Sequence, residues 1–387
     1  KGDVMVMILP SGTASIERGP SNRMYIITAG IPRTVDPISL VTNCHDSQRN
    51  ALVWHSRMVL TPDSLRSVSK LNTGMHGISE GGIELIGNCE IEARSIDDYY
   101  MRDLSQTRKS DGPSPTPKNR RATKPAELRV FDGFGPTVAG YENANYVQFE
   151  ICDNSGLAFA NATSSHKADE WLGFADENTA FYLSHDHATS RVRSDSAGEF
   201  ANQAVWVGGL RNRNWVNEKN APYEKGGIDV MGHGIETHVP CGRHMLIRAG
   251  CNSSFFTDAI VYAVYTSQFK ESPRHPGKSR IQVVTGVQGD VSRLRVFGVR
   301  IYALVDTNVR GGRHNPVSRK GLLVGIHRFT HNYLVQCDLL VGIHRFTHNY
   351  LVQCDDGRRY QVRNHIKFYE LEMIYRGVPT GRITVGT

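Results

Sequence analysis

No apolar run in this chain of 387 residues approaches the ~20 residues that a membrane-spanning helix needs. The seven cysteines (Cys44, Cys89, Cys152, Cys241, Cys251, Cys337 and Cys354) contain no C-x-x-C pair, which excludes a zinc-finger pattern and a small disulfide scaffold. Their number is odd, and scattered buried thiols are the simplest account of them. The chain also lacks G-x-S-x-G, H-E-x-x-H and a phosphate-binding glycine loop of the P-loop kind. Those absences remove the serine-hydrolase elbow, the zinc-peptidase helix and the nucleotide cradle, but not a site assembled from distant positions. Cys44-His45-Asp46 has residue types suited to nucleophilic catalysis, yet adjacent residues do not present a catalytic geometry to one another. The chain opens Lys-Gly-Asp with neither an initiator Met nor a signal-peptide pattern, which reads as a processed or truncated product. A virion or intracellular location is favoured, with secretion as the alternative. The triplets Asn161-Ala162-Thr163 and Asn252-Ser253-Ser254 matter as glycosylation sites only in the secreted case.

What the chain does have, and few chains have, is an exact duplication of 17 residues, LLVGIHRFTHNYLVQCD, at 322–338 and again at 339–355. Each copy reads as two short β-type runs with a polar break at Thr330-His331-Asn332, and Asp355-Asp356-Gly357 after the second copy is a hairpin signal. The unit length is odd. Strand side chains alternate with period two, so the copies require a turn or bulge between them, or one copy lies outside the sheet. Two identical copies point to a recent segmental duplication or to an error in the recorded sequence, not to a solenoid. His327/His331 and His344/His348 have helical metal-ligand spacing, but along a strand that spacing covers ~13 Å, too far for one ion.

Charge is distributed unevenly. From Arg310 onward there are twelve Lys/Arg against five Asp/Glu, an excess equal to the whole net charge of +7. Arg313, Arg319, Lys320, Arg358, Arg359, Arg363 and Lys367 are the expected polyanion-facing residues, with nucleic acid the natural partner. Arg359-Tyr360 and Lys367-Phe368-Tyr369 add aromatics of the kind that stack bases.

Taken in order, residues 1–104 read as a mainly β N-terminal region. It contains strands at Val4–Ile8 and Tyr25–Ile27, and one helix near 62–71 announced by Thr61-Pro62-Asp63. GIELIGNCEIEA at 82–93 reads as a hairpin with Glu84, Glu90 and Glu92 facing solvent. Residues 105–127 lose their large apolar side chains, carry six Lys/Arg against two acids, and read as a basic linker or exposed loop. Residues 128–308 read as the main domain. LRVFDGFG, YVQFEIC, TAFYLSH, QAVWVGGL, GIDVMG, HMLIRAG, AIVYAVYTSQF, IQVVTGV and LRVFGVRIYALVDT look like short strands between turn clusters. That spacing predicts a β-sandwich or jelly roll, followed by a strand-rich basic C-terminal region at 309–387.

Three constellations carry chemistry in principle. His185-Asp186-His187 places two imidazoles at i and i+2, with His233, His238, Cys241 and His244 downstream and Glu199 between. This faintly resembles the cupin arrangement, a metal-binding jelly roll with H-x-H, a later Glu and P-x-G-x-x-H. Glu199 lies too far from His187, and Pro240-Cys241-Gly242-Arg243-His244 is one residue short, so the resemblance implies no family function here. His185, His187, His238 and His244 therefore remain weak metal candidates, and no tightly bound transition metal or other cofactor is expected. Trp206, Arg211, Arg213 and Trp215 bracket GGLRNRN, which reads as a hairpin tip and a ligand loop. No catalytic residue is assigned. These features together suggest a self-assembling, coat-type subunit with a basic surface facing nucleic acid. A carbohydrate-binding or adhesin-like module and a metal-dependent enzyme on a jelly roll are the alternatives.

Overall fold

The computed structural model describes residues 4–9, 12–18, 25–27, 46–84, 121–140, 143–194, 200, 204–219, 229–304, 318–326, 333–337, 350–353, 360–362 and 366–368. The chain divides into two compact units, residues 1–45 with 378–387, and residues 46–377. In the first, β1 (Val4–Leu9), β2 (Gly12–Arg18) and β3 (Tyr25–Ile27) form an antiparallel sheet in that order, with Leu9 the register partner of Gly12.

The second unit opens with α1 (Asp46–Met58) and α2 (Pro62–Leu71). The start of α2 follows from its sequence: the Thr61 hydroxyl caps the Ser64 N–H, Pro62 needs no donor in the first turn, and Leu65, Val68 and Leu71 fall on the buried side. Residues 80–84 are helical, so Gly82, Ile83 and Glu84 are not the opening of a hairpin; residues 85–93 lie outside the described residues.

The centre of this unit is a five-stranded sheet of β4 (Leu128–Phe134), β5 (Tyr146–Cys152), β6 (Ala158–Thr163), β7 (Arg191–Ser194) and β8 (Val216–Lys219). Its order is β6-β5-β4-β7-β8. The β4–β5 and β5–β6 pairs are antiparallel, whereas β4–β7 and β7–β8 are parallel. Parallel neighbours need long crossovers, and helices supply them: α3 (Ala168–Leu183) precedes β7, and α4 (Ala204–Asn212) lies between β7 and β8. Phe131, Phe159 and Val192 pack one face of the sheet onto Trp171, Ala175 and Tyr182 of α3 and Trp206 and Leu210 of α4. Val130, Val147, Phe149 and Ile151 pack the other face onto Val239 of α5 (Asp229–Ala249) and Ile260 and Val264 of α6 (Phe256–Ser267). The result is a three-layer α/β/α domain. Among the described residues the expected β-sandwich or jelly roll is not present, and a mixed sheet between helices stands in its place.

The error lies in the period. TAFYLSH looks like a strand alone, but the spacing of Trp171, Leu172, Ala175 and Tyr182 extends the buried stripe helically over 16 residues. In α6, Ala259, Ile260, Tyr262, Ala263, Val264 and Tyr265 are all buried; a helix enclosed on every side has no stripe to read. QAVWVGGL, GIDVMG, HMLIRAG and IQVVTGV likewise fall in or across α4, α5 and the short α7 (Arg280–Thr285). Between α6 and α7 runs a two-stranded hairpin, β9 (Glu271–Ser272) and β10 (His275–Ser279).

Beneath α3 the sheet carries a buried ion pair. Arg129 donates to both carboxylate oxygens of Glu150 at 2.8 and 2.5 Å, and both side chains are wholly buried. Asn178 adds a donor to Glu150, while Thr179, Thr189 and the Ala175 carbonyl accept from Arg129. A second network at the parallel edge joins Arg191 to Glu127 and Glu218, and Arg193 to Glu218. Burial works against ionisation of Glu127, but hydrogen bonds from Thr123, Arg191 and the Lys124 N–H outweigh it and hold the carboxyl at about 2.

The C-terminal part of the unit forms a six-stranded sheet from β11 (Arg300–Leu304), β12 (Ser318–Ile326), β13 (Tyr333–Cys337), β14 (Tyr350–Gln353), β15 (Tyr360–Val362) and β16 (Ile366–Phe368). Its order is β14-β15-β13-β12-β11-β16, with β14 also pairing β13. Val324 and Ile326 of β12 join the core built by α1, α2 and α6.

Candidate functional site

The sheet changes character at β4. Its neighbour on one side is antiparallel and on the other parallel, and the chain order reverses there, β5 and β6 extending the sheet on one side and β7 and β8 on the other; in open α/β sheets ligands gather outside the carboxyl ends of strands where the order reverses. The last pair in the β4–β7 ladder is Phe131 with Ser194, and Asp132 is the next residue along β4. Asp132 shares a face with Val130 and Phe134, both of which pack toward α5 and α6, and is the one acid on that face of the strand. It is half-buried, and its Oδ1 accepts the Gly133 N–H at 2.7 Å.

Gly133 itself answers to a close approach. A Cβ there would stand 2.6 Å from His166 Cε1, and the His166 ring is seated against Tyr146 with centroids 4.1 Å apart. Ser194 is followed in the sequence by Asp195, which lies outside the described residues.

The facing helix approaches the sheet through a second glycine. A Cβ on Gly234 would stand 2.2 Å from Ile151 Cδ1, so α5 lies directly on β5 at this turn. Ile235 and Val239 pack on the same apolar face. Glu236, next in line, is exposed and is the only acid among residues 234–250. Asp132 and Glu236 thus bring hard oxygen donors from a strand and from the helix that covers its face. Among the described residues no group of three or more His, Cys, Asp or Glu is arranged to hold a metal ion. A Mg²⁺ ion, however, is commonly held by one or two carboxylates with water and substrate phosphates completing its shell, and a carboxylate such as that of Asp132 is of the type that serves such an ion.

The expected site residues are placed elsewhere. His185 and His187 sit in the turn after α3 and not on a strand; His185 lies against Phe181 and His187 Nε2 is 2.9 Å from the Val284 carbonyl. His238 is buried on α5 and His244 lies one and a half turns further along it. Glu199 is outside the described residues. Trp206 and Arg211 belong to α4, so GGLRNRN is a helix end and not a hairpin tip. Trp206 and Trp215 are core residues, and Arg213 pairs with Asp176. Of the basic set, Arg319 and Lys320 fall on β12 and Lys367 on β16, with Lys320 and Lys367 both register partners of Tyr302 on β11. Arg313, Arg358, Arg359 and Arg363 lie outside the described residues.

The coat-type subunit, the carbohydrate module and the jelly-roll enzyme all presupposed a sandwich, and the mixed sheet removes that basis. Asp132 was passed over because LRVFDGFG matches a strand well. The available signal was an acid on the face that Val130 and Phe134 make apolar.

No family model matches the chain, and no curated protein matches it. It is similar to solved structures of viral integrases. The catalytic core domain of HTLV-2 integrase, in a trimeric form in complex with magnesium, is 12% identical over 42% of this chain and 99% of its own, with a TM-score of 0.34. A simian T-cell lymphotropic virus intasome in complex with the PP2A regulatory subunit B56 gamma is 12% identical over 59% of this chain and 78% of its own, with a TM-score of 0.38. The catalytic core domain of BIV integrase is 12% identical over 42% of this chain and 95% of its own, with a TM-score of 0.31. At these values no residue role is taken from them. Among the described residues no helix is long and apolar enough to cross a membrane.

Proposed function

We propose that the five-stranded-sheet domain carries out divalent-cation-assisted phosphoryl transfer on a polynucleotide. The observation that carries this reading is Asp132, an acid one residue past the β4–β7 ladder, beside which the strand order reverses. Asp132 is the first ligand, with its Oδ1 oriented by the Gly133 N–H, and Glu236 of α5 is the second candidate. A bound divalent cation supplies positive charge where negative charge builds on a phosphate. Val130, Phe134 and Ile235 line the neighbouring apolar face and limit water beside the carboxylate. Lys320 and Lys367, level with Tyr302, belong to the surface that receives the polyanion, consistent with a net charge of +7. Self-association belongs to the same proposal, and light scattering of the full chain tests it.

The direct test is Mg²⁺- or Mn²⁺-dependent cleavage or joining of a duplex oligonucleotide by the full chain. Asp132→Asn is expected to lower the rate roughly a hundredfold or more, with far-UV circular dichroism and thermal midpoint unchanged. Glu236→Gln and Asp195→Asn rank the remaining acids. A variant at Asp132 that keeps the parent rate, or a parent rate indifferent to the cation, overturns the reading.

A further inference from the structure

Two cations lie together beside the β9–β10 hairpin, and among the described residues no carboxylate pairs with either of them. Ser279 pairs with Glu271, and just beyond that pair the Arg280 N–H, at the start of α7, donates to the Lys270 carbonyl at 3.0 Å, which brings the two residues together. Like charges held close together repel, and more strongly where water is excluded. Both residues are half-buried, and Arg280 Nε is wholly buried with no hydrogen-bond partner among the described residues. Burial pushes the Arg280 guanidinium down to about 10. Burial also pushes Lys270 below its ordinary range; Cys241 opposes that shift and Arg280 adds to it.

The acids nearby in the fold are engaged elsewhere. Glu271 accepts from the Ser67 hydroxyl and the Gly277 N–H at 3.0 and 2.7 Å. Asp153 accepts from Arg274 and the Ala122 N–H at 2.8 and 2.7 Å. Ser272, two residues from Lys270, is buried with a hydroxyl that has no partner among the described residues. Gly156 borders the site. Its φ is +72°, and a Cβ there would stand 3.6 Å from Arg280 Nε and 3.0 Å from Pro273, closing the space.

We propose that Lys270, Ser272 and Arg280 form a binding site for a phosphate-type oxyanion. Two cationic donors and a hydroxyl match the acceptor oxygens of one phosphate, and the anion removes the repulsion between Lys270 and Arg280. The site is separate in its observations from Asp132 and stands or falls without it. The phosphate belongs either to a polynucleotide backbone or to a free phosphate compound; the chemistry recognised is the same.

The experiment is calorimetric titration of the full chain with inorganic phosphate at constant ionic strength, alongside thermal unfolding in chloride and in phosphate. Phosphate is expected to bind the parent and raise its midpoint above that in chloride. Lys270→Met and Arg280→Gln each weaken binding roughly tenfold or more, and Ser272→Ala weakens it less. Lys270→Met also raises the midpoint in chloride, because it removes the neighbouring like charge; this readout survives if Arg280→Gln fails to fold. Displacement of phosphate by a short oligonucleotide identifies a backbone phosphate as the ligand, and its absence identifies a free one. A parent that does not distinguish phosphate from chloride, or a Lys270→Met variant that binds phosphate as the parent does, overturns the proposal.

Discussion

The two sheets of the larger unit are held in different ways. The five-stranded sheet has polar reinforcement inside it: Arg129 and Glu150 are wholly buried between β4, β5 and α3, and Arg191, Arg193, Glu127 and Glu218 tie its parallel edge together. In the six-stranded sheet the described side chains of β12 contribute Leu323, Val324 and Ile326 to the core, and strand order is set by the ladders of the duplicated segment. Buried ion pairs tolerate little alternative geometry, whereas apolar strands with repeated sequence tolerate a change of partner. The first sheet therefore suits a site that must hold its shape, and the second suits a surface.

The largest expected effect tests the rigid side of that contrast. Arg129→Met leaves Glu150 buried without its cation and is expected to cost about 3–5 kcal/mol. Chemical denaturation of the two single variants and of Arg129→Met/Glu150→Leu checks it. The double variant should be closer to the parent than either single one. If Arg129→Met unfolds with the parent midpoint, the pair does not hold the sheet.

The legibility of the sequence divides along the same line. The starts of α2, β1 and β3 were visible, because Thr61-Pro62-Asp63 is a local capping signal and Val4–Ile8 and Tyr25–Ile27 are β-type runs, whereas β2 at Gly12–Arg18 was not read. So were β4 and β5, whose seven-residue runs are bounded by turn residues. Both α5 and α6 were hidden. Gly232, Gly234, Pro240 and Gly242 break helix propensity along α5, yet Gly234 and Gly242 are where it meets Ile151 and Ile260 closely enough to exclude a side chain. Tertiary packing thus selects residues that local propensity rejects. The candidate site suffered most, because Asp132 and Glu236 lie 104 positions apart and only the placement of α5 on β4 and β5 relates them. The buried pair of Arg129 and Glu150 was equally hidden, since alternation gives both to a strand face and says nothing of what covers it.

A smaller effect sharpens the comparison through pH. Glu127 is held at about 2 in the folded chain, below its ordinary value of 4.5, so its contribution is fully present above pH 4.5 and is lost as pH falls toward 2. Because the group is partly exposed, the contribution is on the order of 1 kcal/mol. Glu127→Gln should be less stable at neutral pH and should lose less stability than the parent between pH 4.5 and 2. Equal acid slopes in thermal unfolding would detach the parallel edge from this carboxylate.

The smallest effect is expected from the largest change, removal of residues 339–355. β13 and β14 are the same repeat positions in the two copies, and they pair in parallel with Val335 opposite Val352, its own duplicate. β15 meets both copies at the equivalent residue, Leu334 with Gln361 and Leu351 with Gln361. It is thus offered the same partner twice. Without the second copy Asp338 runs directly into Asp356-Gly357, a hairpin signal that leads β13 straight into β15 in the antiparallel sense they already share. β12 keeps its pairing with β13, and Val324 and Ile326 keep their places in the core. Halving or doubling a connection changes its closure entropy by only about 0.6 kcal/mol, so the shortened chain should unfold within a few tenths to about 1 kcal/mol of the parent. A deletion that leaves the chain insoluble, or lowers its stability by several times that, would show that the second copy is a structural strand in its own right and that the six-stranded sheet is as exacting as the five-stranded one.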